Sequence, residues 1–314
     1  MPRMLWVLAG LACLAGCGQA PRQADLLIEN ALIYDGRGGE PYRGAVAVAE
    51  GRVLATGRMP GAIRAARTVD AHGLAVAPGF INVLSWAPDS LIHDGRGLSD
   101  VKQGVTLEIF GEGDSYGPLS EASRAEALKT QTDIRYDISW TTLGEFLDFL
   151  VAKGVTPNVA SFVGAATVRV HELGYANRAP TAGELGRMQE LVREAMREGA
   201  LGVGSALIYA PGTYAQTAEL AALAKAAGEY GGGYISHMRS EGDRFLEALD
   251  ELIGIARDAG VPAEVHHLKA AGEANWPKMR EAISRIDAAR RDGLAITANM
   301  YTYTAGATGL DAAM

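Results

Sequence analysis

The chain has 314 residues, of which 48% are hydrophobic and 21% charged, and its formal net charge at pH 7 is -8. This composition is typical of a folded globular protein with room for a barrel-sized core and a small additional module. The sequence contains no basic run and no basic patch interleaved with aromatic residues. Because the acidic balance also opposes phosphate binding, we expect no nucleic-acid partner.

The first 16 residues have the pattern of a signal peptide. Arg3 precedes an apolar run, Leu5 to Leu14, that is too short for a permanent membrane span. The tetrad Leu14-Ala-Gly-Cys17 resembles a bacterial lipobox, which would make Cys17 the acylated first residue of the mature chain. A simple cleaved signal is the alternative. We expect a lipoprotein of the bacterial cell envelope that faces the periplasm and contacts the membrane only through its lipid anchor.

Residues 17–73 are predicted to form a small β module, a β-sandwich. Short apolar strands are separated by turn residues, of which Asp35-Gly36 and Glu50-Gly51 are the clearest. The predicted strands are Leu26–Ile28, Ala31–Tyr34, Ala45–Val48 and Arg52–Ala55.

From residue 74 the pattern changes to alternating strands and helices. The helices include the amphipathic stretches 182–198 and 243–260. Such alternation predicts an α/β fold, specifically a (β/α)₈ TIM-like barrel over residues 74–314. Since only about seven strands are present, we expect the barrel to be incomplete at its C-terminus and the chain to be an inactive fragment of a longer product. The predicted strands lie near 76–84, 105–111, 157–163, 200–207, 233–238, 262–268 and 294–301.

Two of these strands end in histidine. His237 and His267 are 30 residues apart, the length of one βαβ repeat, so both imidazoles should emerge at the carboxyl ends of neighbouring strands. Imidazoles held on rigid strand ends are suitable ligands for a divalent transition metal. The alternative is that they are ordinary polar residues at strand ends.

Several motifs together resemble the amidohydrolase superfamily, specifically the N-acyl-D-amino-acid deacylase (D-aminoacylase) family. The resemblance extends over about residues 25–314. It rests on the opening Leu26–Ala31 with Asp35-Gly36, followed by Ala77-Pro-Gly-Phe-Ile81, Gln103-Gly-Val-Thr-Leu-Glu108, Gly199–Ser205, Leu207–Gly212, Ser236-His-Met-Arg239 and His267-Leu-Lys269.

The chain departs from this family at the first barrel strand. There the superfamily has a His-x-His motif that ligates one of two metals, whereas this chain has Leu84 and Trp86. Neither side chain can ligate, so that metal subsite should be absent or very weak. Trp86 could line the acyl pocket or fill the vacant metal volume.

After the second strand the family has a cysteine ligand, and Glu112 falls on its position when one deletion is allowed. A carboxylate is a competent zinc ligand. The resemblance therefore implies one zinc ion held by Glu112, His237 and His267, although Glu112 could instead be a helix-capping or solvated carboxylate. Adjacent strand residues point to opposite faces, so we expect His266 to be an outer residue or one that supports a ligand without binding the metal. His72, His93 and His171 are expected in surface or loop positions.

The resemblance implies metal-assisted hydrolysis of a linear, non-peptide amide, most simply an N-acyl-D-amino acid. Tyr209, Arg239 and Lys269 would bind the substrate α-carboxylate, although Arg239 could instead pair with Glu241. The family's catalytic aspartate lies on the eighth strand, beyond Met314, and Asp311 does not match it. The alternatives are a non-catalytic binding lipoprotein, and a dipeptide or cyclic-amide hydrolase of the same superfamily.

Overall fold

The computed structural model describes residues 22–58 and 63–309. The chain divides into two compact units, Met1–Pro78 and Gly79–Met314. This boundary lies five residues after the one that the sequence predicts. The predicted signal peptide and Cys17 lie outside the described residues.

The described part of the first unit is a single five-stranded sheet, not the predicted two-layer sandwich. The first strand pairs antiparallel with the second and parallel with the fourth and fifth. The hairpin turn predicted at Glu50-Gly51 is present, and both residues have the positive φ that a two-residue turn requires. The strands are β1 Arg22–Ile33, β2 Tyr42–Ala49, β3 Arg52–Gly57, β4 Ile63–Asp70 and β5 Ala75–Val76.

The second unit contains parallel sheets whose strands follow one another in chain order. The sheet orders are β6-β7-β8 and β9-β10-β11-β12-β13. Only Phe162 separates β8 from β9, so these two occupy one predicted strand position, and all seven predicted positions contain a strand. The strands are β6 Phe80–Asn82, β7 Val105–Phe110, β8 Asn158–Ser161, β9 Val163–Gly164, β10 Gly202–Ala206, β11 Gly233–His237, β12 Ala263–Val265 and β13 Ile296–Ala298.

The fold of this unit is therefore α/β with parallel strands, as the sequence predicts. Within residues 79–309, no strand pairing joins β6 to β13. Closure into a barrel is not part of the described structure.

Helices alternate with these strands. Two of them match the predicted stretches closely: α6 begins at a capping box between Thr181 and Glu184, and α8 ends at Gly260, which has a φ of 69°. The helices are α1 Pro88–His93, α2 Leu98–Val101, α3 Glu121–Thr130, α4 Leu143–Lys153, α5 Ala165–Leu173, α6 Ala182–Arg197, α7 Thr217–Gly228, α8 Phe245–Ala259 and α9 Lys278–Arg291, with 3₁₀ turns at Gly212–Tyr214 and Glu273–Asn275. None of the helices in the described ranges combines the length and apolar composition needed to cross a bilayer.

The core of this unit lies between the strands and the helices, and one buried ion pair ties two helices together within it. Arg169 on α5 donates two hydrogen bonds to Glu219 on α7, at 2.9 and 2.7 Å, and both side chains are almost fully buried. The same guanidinium also donates to the carbonyl oxygens of Ala176 and Arg178. The pair therefore fixes α5, α7 and the loop after α5 relative to one another.

Candidate metal centre

Two neighbouring parallel strands position the two histidines. His237 is the last residue of β11, and Ser236 pairs with Val265 on β12. His267 lies just beyond β12, where its backbone takes a φ of 36°, which is uncommon for a residue other than glycine. The side-chain oxygen of Asn299 accepts a hydrogen bond from the His267 amide at 2.7 Å. This contact holds the unusual turn that directs the His267 ring.

Glu112 reaches the same place from β7. The strand ends at Phe110, and Gly111 turns the chain with a φ of 97°. A Cβ at Gly111 would overlap the carbonyl oxygen of Phe162, so only glycine fits. The tight turn brings the Glu112 carboxylate to the two imidazoles.

The three predicted ligands are brought together, and all three are buried. Glu112 Oε1 lies 3.0 Å from His237 Nδ1 and 3.0 Å from His267 Nε2, and the two nitrogens are 3.1 Å apart. Tetrahedral zinc with bonds of about 2.0 Å has ligand–ligand edges of about 3.3 Å. The triangle therefore nearly matches one face of such a site, and a single cation could accept a lone pair from all three atoms. The residues present fit a zinc ion.

The charges around the cluster also favour a cation. Burial opposes ionisation of Glu112, but hydrogen bonds with His237 and His267 outweigh it and hold the Glu112 pKa at about 2. Burial likewise opposes a charge on His267, yet the hydrogen bonds with Glu112 and Glu241 raise the His267 pKa to about 9. A proton and a metal ion therefore compete for His267.

Glu241 supports this cluster, and sequence reasoning did not single it out. Its Oε1 lies 3.0 Å from His267 Nδ1, accepts a hydrogen bond from Lys269 Nζ at 2.5 Å and is 4.0 Å from His237 Nε2. With Nε2 of His267 as a metal ligand, Nδ1 would keep its proton and donate a hydrogen bond to Glu241. Such a carboxylate fixes the tautomer and orientation of a metal-ligating histidine. In the sequence, the position of Glu241 four residues after His237 could have indicated that it lies near the metal ligands.

His266 lies apart from the three-residue cluster. It is buried rather than at an outer surface, and burial lowers its pKa to about 3. Its Nδ1 is 3.5 Å from the side-chain amide of Asn299. That His266 does not ligate a metal stays a prediction. Of the remaining histidines, His72 and His93 are exposed, and His171 is half-buried on α5.

The predicted substrate-binding residues have different surroundings. The Tyr209 ring meets the His237 ring edge-on at 5.5 Å, and its hydroxyl lies 2.6 Å from Thr308 Oγ1. Lys269 lies beside the cluster through its contact with Glu241.

Arg239 is engaged within the protein. Its guanidinium donates to both carboxylate oxygens of Glu251 at 2.9 Å and to the carbonyl oxygens of Thr213 and Ala215. Arg239 therefore forms an ion pair, as the alternative interpretation predicts, but its partner is Glu251 on α8 rather than Glu241. These contacts leave Arg239 less suited to bind a substrate than Lys269.

Leu84 and Trp86, which stand where the superfamily has its His-x-His motif, differ in their exposure to solvent. Leu84 is half-buried, whereas the Trp86 side chain is 71% exposed. Trp86 therefore does not fill a buried metal volume. Asp311 lies outside the described residues.

The chain is similar to known deacylases in both sequence and fold, although no protein-family model matches it. It is 32% identical to a D-aminoacylase of Alcaligenes xylosoxydans, with 91% of this chain and 59% of that protein covered. It is 33% identical to the N-acyl-D-aspartate deacylase of the same organism, covering 94% and 59%. A crystal structure of N-acyl-D-glutamate deacylase from Bordetella bronchiseptica, complexed with zinc and a phosphonate inhibitor, matches with a TM-score of 0.78 and 31% identity over 90% of this chain and 59% of that one.

The chain thus spans about three fifths of the length of these relatives. Nine tenths of its own length takes part in the match. The resemblance seen in the motifs is confirmed: the chain is homologous to the D-aminoacylases and N-acyl-D-amino-acid deacylases.

Proposed function

We propose that the protein is a metal-dependent hydrolase that cleaves the amide bond of N-acyl-D-amino acids and releases a carboxylate and a D-amino acid. The observation that carries this proposal is the convergence of Glu112, His237 and His267 on one point, in a chain homologous to deacylases. Two imidazoles and one carboxylate leave a fourth coordination position open, which is typical of catalytic rather than structural zinc sites.

One zinc ion would be held by these three residues. When bound, the ion polarises the amide carbonyl and acidifies water. Glu241 would keep the Nδ1 proton of His267 in place, so that Nε2 stays available as a ligand. The carboxylate of Glu112 would offset part of the ion's charge.

Lys269 is the best-placed cation for the substrate's α-carboxylate. With the His267 proton on Nδ1, the Lys269 ammonium uses one N–H group on Glu241 and one on the carbonyl oxygen of His267. Its Nζ also lies 2.8 Å from His267 Nδ1 and 5.3 Å from the centre of the Tyr301 ring. Tyr209, whose ring lies 5.5 Å from that of His237, would supply a neutral hydroxyl donor.

The experiment is hydrolysis of a panel of amides by the zinc-loaded product of the full reading frame. Release of free amine is measured for N-acetyl-D-amino acids, their L enantiomers, dipeptides and cyclic amides, with the His237→Ala variant as the inactive control. Turnover of the D series alone is expected. Cleavage restricted to dipeptides or cyclic amides would overturn the proposed substrate class, and zinc binding without any cleavage would overturn the proposed activity.

We further infer that the parallel strands form part of a (β/α)₈ barrel. The inference is supported by seven strand positions in chain order and by the TM-score of 0.78 to the deacylase structure. A crystal structure of the product of the full reading frame in which β6 and β13 are opposite edges of an open sheet would refute it.

We also propose that the protein is a lipoprotein of the bacterial cell envelope, acylated on Cys17. The Leu14-Ala-Gly-Cys17 tetrad after a short apolar run supports this. Labelled palmitate should enter the wild-type protein but not the Cys17→Ser variant. Absence of label from the wild type would contradict the proposal.

A further inference from the structure

A cavity of 160 Å³ opens beside Glu112, on the side of the β7–α3 loop. Its apolar wall consists of Trp86, Pro88, Phe110 and Tyr116. Because Glu112 lines the cavity and also belongs to the proposed metal site, a group bound in the cavity would lie near that site.

Several contacts hold Tyr116, which forms part of the cavity wall, in place. The Tyr116 hydroxyl donates to Asp89 at 2.5 Å, and the Tyr116 ring stacks on Phe146 with 4.5 Å between centroids. The Trp140 indole N–H donates to the Tyr116 carbonyl oxygen at 2.6 Å. Trp86, in contrast, lines the cavity and is 71% exposed. An exposed indole beside a polar site gains stabilisation when an apolar ligand covers it.

The two halves of an acylamino acid can be assigned to opposite sides of His267. Its Nε2 faces Glu112, which lines the cavity, whereas its Nδ1 faces Glu241 and lies 2.8 Å from Lys269 Nζ. The α-carboxylate belongs on the Lys269 side because of its charge. The residues that line the cavity include no cation, so a second carboxylate there would lose its hydration without gaining a charged partner.

We propose that this cavity is the acyl pocket, and that it takes an uncharged, unbranched acyl chain. At about 30 Å³ for each small group, 160 Å³ holds about five non-hydrogen atoms beyond the carbonyl, which corresponds to hexanoyl. The proposal rests on the proposed deacylase function. It assigns Trp86, at a position where the superfamily has a metal-binding histidine, as a residue that determines acyl specificity.

The test compares acyl chains on the one D-amino acid that the first panel identifies. Using zinc-loaded full chain, kcat/KM is measured for acetyl, butyryl, hexanoyl, decanoyl and adipoyl derivatives. We expect a rise of about fourfold per methylene up to hexanoyl and no gain beyond it. Adipoyl should be at least tenfold poorer than hexanoyl, because its second carboxylate enters a cavity whose lining residues include no cation. Equal rates for acetyl and hexanoyl would overturn the proposal.

Trp86→Ala provides the matched comparison, and Trp276→Ala is its control. Trp276 is also exposed, at 63%, and takes no part in the site. The gain in kcat/KM per methylene of the acyl chain should fall below about twofold in Trp86→Ala and should keep its wild-type value in Trp276→Ala. An unchanged dependence in Trp86→Ala would overturn the assignment of this pocket. Since the Trp86 side chain is exposed, its removal should leave the thermal unfolding midpoint almost unchanged.

A binding measurement that needs no turnover distinguishes an incorrect assignment of the pocket from an incorrect assignment of the enzymatic function. Titration calorimetry compares hexanoate with acetate on the zinc-loaded protein. Tighter binding of hexanoate that is lost in Trp86→Ala would uphold the pocket even when no amide is hydrolysed. Equal binding of the two acids would overturn the pocket even when hydrolysis occurs.

Discussion

Replacing Glu241 by glutamine tests whether the second nitrogen of His267 controls the metal site. The change keeps the shape of the side chain but removes the charge that lies 3.0 Å from His267 Nδ1. A hydrogen bond with a charged partner contributes about 1.5 to 3 kcal/mol. The Glu241 side chain is only 14% exposed, so solvent screens this interaction little. Loss of a residue that orients a metal-ligating histidine typically weakens metal affinity by about 10- to 100-fold, or roughly 1.4 to 2.7 kcal/mol.

The pH at which affinity is measured matters, because Glu241 also raises the pKa of His267. The wild-type pKa is about 9, so at pH 7 a metal must displace a proton, at a cost of roughly 2.7 kcal/mol. Glu241→Gln lowers that pKa and reduces the cost. The difference between wild type and variant should therefore be smaller at pH 7 and reach its full size above pH 9.

The assay is zinc titration against a competing chelator at pH 7 and at a pH above 9. Glu247→Gln is the matched control, since Glu247 is an exposed residue on α8 that pairs with Arg244 and with no other cation in the described ranges. Its zinc affinity should equal that of the wild type. If Glu241→Gln binds zinc within threefold of the wild type above pH 9, Glu241 does not support the site.

Three further predictions concern the site and the core. The protein should bind about one zinc equivalent, lost in His237→Ala and His267→Ala and retained in His266→Ala; elemental analysis showing two equivalents, or none, would contradict this. Apparent zinc affinity should rise by up to tenfold per pH unit until about pH 9 and then level off, because His267 is the group that must lose a proton; a flat profile from pH 7 to 9 would contradict it. Glu219→Ala should lower the free energy of unfolding in urea by about 3 to 5 kcal/mol, because it leaves a buried guanidinium unpaired, whereas Glu247→Ala should change it by less than about 1 kcal/mol.

The positions of the two histidines could be predicted because their local sequence determines them. Each follows an apolar run with the length of a strand, and a helix-length amphipathic segment lies between the runs. Parallel strands joined in this way place their carboxyl ends at one edge of the sheet. Glu112 required the resemblance, because its segment alone does not indicate a ligand.

Other features depend on contacts that the sequence does not specify. Arg239 reaches Glu251 on α8, twelve residues away, rather than Glu241 nearby, because the loop before α8 directs Glu241 to His267. Strand β4 was missed because Ile63–Asp70 carries two arginines and has mostly exposed or half-buried side chains. Its strand conformation comes from parallel pairing with β1.

The φ of 36° at His267 links metal capture to the assembly of the sheet. Such a conformation costs about 1 to 3 kcal/mol for a residue other than glycine and persists only where surrounding contacts impose it. Here the contact comes from Asn299, whose own amide donates to Val265 on β12 at 3.1 Å. The chain just after β13 must therefore dock before His267 takes its ligand position. Zinc uptake during refolding should follow the formation of most secondary structure, and it would report on the docking of this segment.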